Sequence, residues 1–134
     1  SLWLKKNKDL MESGIYLSYF GVADPHYYGI KYRPIGIISN LTTQERIGDD
    51  IIKNNPKRIV VAVSITNLQS TYYKDKTIFN FLKKIKPVYI AADSIFVYDI
   101  TNNKDALKNF VTLLENLGYY EDVKYINKIY LFEE

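Results

Sequence analysis

The chain has no cysteine, one histidine, four prolines and six glycines in 134 residues. Without cysteine there are no disulfides and no thiolate metal sites, although the compartment stays open because extracytoplasmic domains can also lack cysteine. With His26 as the only histidine, a two-histidine metal site is excluded, and a Ser-His-Asp arrangement could be built only around that residue. Gly14, Gly21, Gly29 and Gly36 are spaced too widely for a dinucleotide or phosphate loop, so no cofactor is expected. No run approaches the roughly 18 to 20 apolar residues that span a bilayer, and the N-terminus lacks the blocks of a signal peptide. Charge of one sign is not concentrated either. The net +3 comes from 18 basic and 15 acidic residues scattered along the chain, which argues against nucleic acid as a partner.

What is present is ordinary for a folded domain: 47% hydrophobic and 25% charged residues, enough for a continuous core. The thirteen tyrosines stand out, several of them in pairs (Tyr27-Tyr28, Tyr72-Tyr73, Tyr119-Tyr120), and read either as compositional bias or as a stacking surface.

Leu2, Trp3, Leu10 and Met11 lie among lysines with no breaker before Gly14, the pattern of a short amphipathic helix closed by glycine. Ile15 to Phe20 reads as a strand. Asp24-Pro25 then suits an N-cap and first helical residue, with Gly29 as the stop. Tyr32-Arg33-Pro34 reads extended, and Thr42 or Thr43 can cap a helix over Gln44 to Lys53 that Asn54-Asn55-Pro56 ends. Ile59 to Ile65 is an unbroken, mostly β-branched run, which predicts a central strand covered on both faces. Ile78, Phe79, Leu82 and Ile85 predict a helix of about three turns before Pro87. Val88 to Ala92 and Ser94 to Ile100 predict a β-hairpin around Ala92-Asp93-Ser94.

Beyond Asn102, Leu107, Phe110, Val111 and Leu114 share one helical face. Val123, Ile126 and Ile129 or Tyr130 share another, with Asn116-Leu117-Gly118 between them. The expected fold is therefore α/β: a small open mixed sheet with flanking helices, a C-terminal β-hairpin and a terminal helical hairpin. Residues 1–101 form the α/β part. Residues 102–134 form a hairpin that packs on it or starts a repeat array, because the segment Leu117 to Val123 resembles the turn and second helix of a tetratricopeptide repeat.

Chemistry-bearing residues collect where strands end. Asp24, His26, Tyr27 and Tyr28 follow the first strand, and Thr66, Asn67 and Gln69 follow the central one. The carboxyl ends of parallel strands form the usual ligand crevice of an open α/β sheet. Amides offer both donors and acceptors and tyrosines offer flat faces, so Asp24, His26, Tyr27, Tyr28, Asn67 and Gln69 suit sugar hydroxyls and rings. The competing reading is that the same side chains cap backbone groups. No catalytic residue is assigned: Asp49-Asp50 and Glu133-Glu134 are adjacent acids that read as solvated faces, and no metal site is visible. An independent small enzyme built on Asp24, His26 and Asn67 would lack an activated nucleophile.

Three segments carry a resemblance: Ser18-Tyr19-Phe20-Gly21-Val22-Ala23-Asp24-Pro25-His26-Tyr27-Tyr28-Gly29-Ile30, Thr66-Asn67-Leu68-Gln69, and Ser94-Ile95-Phe96-Val97-Tyr98-Asp99-Ile100. In content, order and spacing they resemble the C-terminal soluble domain of dolichyl-phosphate-mannose-mannosyltransferase-like membrane proteins. That resemblance implies a piece of a longer chain whose preceding transmembrane helices transfer sugar from a polyprenyl-phosphate donor, with this domain on the extracytoplasmic side (periplasmic or extracellular) and itself soluble. Its expected partners are the transmembrane part of the parent chain and a glycan or protein acceptor. Its expected role is non-catalytic, either acceptor recognition or packing on the membrane part. The other reading is a protein-interaction module made of the α/β platform and the repeat-like hairpin.

Overall fold

The computed structural model describes residues 2–19, 31–38, 49–65, 77–91 and 94–132. They form five strands, β1 (Ile15–Tyr19), β2 (Tyr32–Ile38), β3 (Val60–Ser64), β4 (Tyr89–Ala91) and β5 (Ile95–Asp99), in one sheet of order β2-β1-β3-β5-β4. β1 runs parallel to both β2 and β3, and β5 is antiparallel to β3 and β4, so the sheet is mixed, as its alternating pattern predicts. The helices are α1 (Leu2–Lys6), α2 (Lys8–Ser13), α3 (Asn80–Lys83), α4 (Lys104–Asn116) and α5 (Tyr120–Ile129), with a 3₁₀ turn at Ile51–Asn54.

β3 is the middle strand, and Ile59 to Val63 are at most 1% exposed. That burial explains the absence of alternation: both faces of the strand are covered, so both sets of side chains are apolar. The expected run overshoots by one residue, since Ile65 is 40% exposed where the strand has ended. Pro34 sits in β2, an edge strand, where a missing N–H costs no ladder bond.

Side-chain alternation divides the sheet into two faces. Tyr16, Ile35, Val61, Val63 and Tyr98 point to one, where they pack with Phe79 and Leu82 at α3 and with Leu107, Phe110, Leu114 and Ile126 of the two C-terminal helices. Leu17, Tyr32, Val60, Ala62 and Val97 point to the other, under Leu10 and Trp3 of α1 and α2. Trp3 stacks on Tyr89 with ring centroids 5.1 Å apart. α2 ends at Gly14 with φ +96°, and a Cβ there would lie 3.1 Å from both the Lys31 carbonyl oxygen and Ile51 Cγ1. Only glycine fits that close approach.

The terminal hairpin forms where the periodicity predicts it. α4 begins with Asn103 Oδ1 accepting from the Ala106 N–H at 3.0 Å. It ends in a Schellman motif, with Gly118 at φ +80°, its N–H donating to the Glu115 carbonyl and the Tyr119 N–H to the Leu114 carbonyl.

Two helix expectations need correction. The three-turn helix over Ile78 to Ile85 is a single turn, Asn80–Lys83. Backbone bonds from Asn80 to Thr77, Leu82 to Phe79 and Ile85 to Leu82 span three residues, so turns flanking and overlapping this short α-helix carry the apolar spacing of Phe79, Leu82 and Ile85 past its ends. The expected helix over Gln44 to Lys53 has only its end among the described residues. That end is the 3₁₀ turn, stopped by Asn55 in the left-handed region at φ 45°. At the N-terminus the helix is broken at Asn7, whose Nδ2 donates to the Trp3 carbonyl.

Candidate functional site at the strand ends

β1 has β2 on one side and β3 on the other, so the connection leaving β1 moves one way across the sheet and the connection leaving β2 returns the opposite way. Such a reversal splays the flanking connections apart beyond the carboxyl ends of the strands, and this is where open α/β sheets hold ligands. The register Tyr16↔Val61, Leu17↔Ala62, Ser18↔Val63 aligns the carboxyl ends of β1 and β3 side by side. Ser18 and Ser64, 0% and 4% exposed, are buried hydroxyls at these two ends.

The residues that follow these strands in sequence are 20–30 and 66–76, and all six expected ligand residues are among them. Asp24, His26, Tyr27, Tyr28, Asn67 and Gln69 lie outside the described residues, as does the expected Asp24 cap. The described strands bring the starting points of both segments together.

A second polar constellation, which the sequence does not mark, lies on the helical-hairpin face. Asp122, 1% exposed in the first turn of α5, accepts from the Tyr16 hydroxyl at 2.8 Å and has Arg33 Nε at 3.3 Å. The Arg33 guanidinium carbon lies 3.9 Å from the Tyr119 ring centroid, and the Tyr119 hydroxyl donates to the Pro34 carbonyl at 2.6 Å. Burial pushes the Asp122 carboxyl up; the Tyr16 hydrogen bond and the Arg33 charge pull it back, and Asp50 adds to the rise. Burial, followed by the Asp122 charge and hydrogen bond, drives the Tyr16 hydroxyl far above the usual phenol range. The carboxylate is enclosed, and its nearest polar groups come from β1 and β2. It clamps the hairpin to the sheet and has no open side for a substrate. In sequence Asp122 looks like any first-turn acid near a helix N-terminus, which is why it escapes notice.

A third set fastens the other side of the sheet. Arg58 Nε donates to Asp99 at 3.0 Å and its Nη1 to Asn7 at 2.8 Å, while Thr101 donates to Asp99 through both its backbone and its hydroxyl. Burial pushes the Asp99 carboxyl up, but the Thr101 and Arg58 hydrogen bonds and the Arg58 charge together outweigh it and hold it below the usual range.

Among the described residues, no group of three or more His, Asp or Glu side chains is placed to hold a metal ion, and no helix is long and apolar enough to cross a membrane. No family profile, curated protein or solved structure matches this chain.

Proposed function

We propose that this chain is a non-catalytic extracytoplasmic domain of a membrane-embedded glycosyltransferase that uses lipid-linked sugar donors, and that it serves acceptor recognition beside the membrane part. The observation that carries this reading is the topology of the resembling segments. The segment beginning at Ser18 and the segment at Thr66 to Gln69 follow the carboxyl ends of two adjacent parallel strands flanking the switch point. The third segment, Ser94 to Ile100, supplies β5, which pairs with β3 along its whole length and fixes that strand's position. Amides and tyrosines in the segments that follow these two strands in sequence suit a hydroxyl-rich ligand. Asp99 and Asp122, the two described acids whose carboxyls are shifted, are engaged in fastening the fold.

The test has two arms. The purified chain, incubated with polyprenyl-phosphate sugars, should give no transfer and no hydrolysis. Removing it from the parent protein should depress transfer to acceptor while donor binding persists. Turnover by the isolated chain that disappears on changing Asp24 or His26 would replace this reading with an enzymatic one.

One observation favours the interaction-module reading. Tyr120, Ile129 and Phe132 of the terminal hairpin are 69%, 51% and 67% exposed, and apolar groups on a helical hairpin suit a packing partner. Sedimentation of the chain alone and with the rest of its parent separates the two.

A further inference from the structure

A depression of about 720 Å³ lies between α3 and the start of α4, and a second of about 340 Å³ continues it along α4. Asn80, Phe81 and Asn109 line both, so they are two ends of one groove. Its helical wall carries Asn109, Thr112 and Asn116, spaced three and four residues apart on one side of α4, over a span of about 10 Å at the usual helical rise. Opposite stands Asn80. Phe81, half-buried and packed at 6.5 Å against Phe110, forms an apolar floor.

The hydrogen-bonding state of these groups indicates the kind of ligand. The Asn80 and Asn116 amides have no partner among the described residues, and Asn109 uses its Nδ2 on the Asp105 carbonyl, leaving its Oδ1 available. The wider end is lined by Lys83, Lys84 and Asp105 as well as by amides, whereas the narrower end along Asn109, Thr112 and Asn116 has no charged residue among its described lining and offers unused donors and acceptors of both senses above an aromatic floor. A helix-binding groove has apolar anchors at this same spacing, and a strand-binding site has a free sheet edge. Here the anchor positions are amide, hydroxyl and amide. Among the described residues the narrower end holds no cation for a phosphorylated or carboxylated ligand, and at the wider end the lining contains an acid, Asp105, as well as Lys83 and Lys84.

We propose that this groove binds a neutral polyhydroxylated ligand, an oligosaccharide lying along α4 with a ring face against Phe81. The proposal takes its ligand class from the acceptor-recognition reading and adds a second place of contact, separate from the strand-end crevice.

The experiment titrates the isotope-labelled chain with neutral glucose and mannose hexasaccharides and with a neutral Gly-Ser peptide, following backbone and asparagine side-chain amide resonances. A hexasaccharide should shift the Asn80, Asn109 and Asn116 signals saturably while the peptide does not. Asn116→Ala should weaken that response about fivefold, the worth of one lost hydrogen bond, with an unchanged melting temperature because the side chain is exposed. Binding that Asn80→Ala and Asn116→Ala leave untouched, a response to the peptide alone, or no response to either sugar would overturn the proposal. Saturable sugar shifts confined to residues 20–30 and 66–76 would overturn the groove but retain the strand-end crevice, and the deletion in the parent protein tests the transferase reading independently.

Discussion

The two faces of the sheet are built to different depths. Against the C-terminal helices, seventeen buried residues form one cluster that draws on β1, β2, β3, β5 and all three of α3, α4 and α5. Against α1 and α2 the corresponding cluster has six, with Trp3 and Tyr89 only half-buried at its margin. The fastenings differ in kind as well. The deep face encloses an ion pair and a tyrosine hydroxyl at Asp122, whereas the shallow face is held by Arg58 reaching Asp99, Asn7 and Asp9 near solvent. The deep face thus supplies the rigidity that aligns β1 with β3, and the shallow face can open without disturbing it.

The strongest way to break this comparison is to charge the deep face. Val61 is fully buried on β3, and an unpaired carboxylate there costs several kcal/mol against a total stability of about 5 to 15. Val61→Asp should abolish folding, seen as loss of a cooperative melt by circular dichroism.

A graded version compares truncations on the two sides. Phe110 is fully buried and meets Tyr16 edge-on at 4.9 Å, so Phe110→Ala should cost about 3 to 5 kcal/mol. Trp3→Ala removes a half-exposed stacked pair and should cost about 1 kcal/mol. Urea unfolding of both variants checks the ratio, and equal losses would mean the faces are energetically alike.

Titration sharpens the contrast further, because the two fastening acids shift in opposite directions. The Asp122 carboxyl is raised, so its contribution to stability is fully present below its unfolded value and is lost as pH rises through the folded value. The Asp99 carboxyl is lowered, so its contribution is present above the unfolded value and is lost as pH falls through the folded one. Melting temperatures taken from neutral to acidic pH should show wild type gaining on Asp122→Asn as pH falls, and losing ground to Asp99→Asn. The smallest effect concerns the rim of the deep face. There the Tyr125 and Tyr130 hydroxyls both donate to the Pro56 carbonyl, and burial, with Tyr125 next, pushes Tyr130 up to about 12. Tyr130→Phe should cost about 0.5 to 1.5 kcal/mol in the same denaturation series, since Tyr125 still serves that carbonyl.

Much of this architecture is legible in the sequence because the features involved are local. The β-branched run at 59 to 65 announces β3, the two apolar runs on either side of Asp93 announce the antiparallel pair β4 and β5, and Gly118 announces the break between α4 and α5. Of the tyrosines read from sequence as bias or stacking surface, Tyr16, Tyr32 and Tyr98 are buried and Tyr119, Tyr125 and Tyr130 bond backbone carbonyls, whereas Tyr89 stacks on Trp3 and Tyr120 is exposed. The shortness of α3 is not legible because Phe79, Leu82 and Ile85 fit the turns that flank it as well as one longer helical face. Asp122 is not legible as a buried group because its partners lie far off in sequence, Tyr16 at a separation of 106 residues and Arg33 in β2, and no local pattern records such distances. Of the strand-end site, the sequence supplied the six side chains, and the structure supplies the adjacency of the strands they follow.

Native-state hydrogen exchange tests most directly whether the deep face is one cooperative unit spanning sheet and helical hairpin. Backbone amides of β1, β3 and α4 should exchange only through the same global opening, while those of α1 and α2 exchange earlier through a local one. Amides of α4 and α5 that open together at a lower free energy than β3 would contradict the account, because the hairpin would then be a separate unit resting on the sheet.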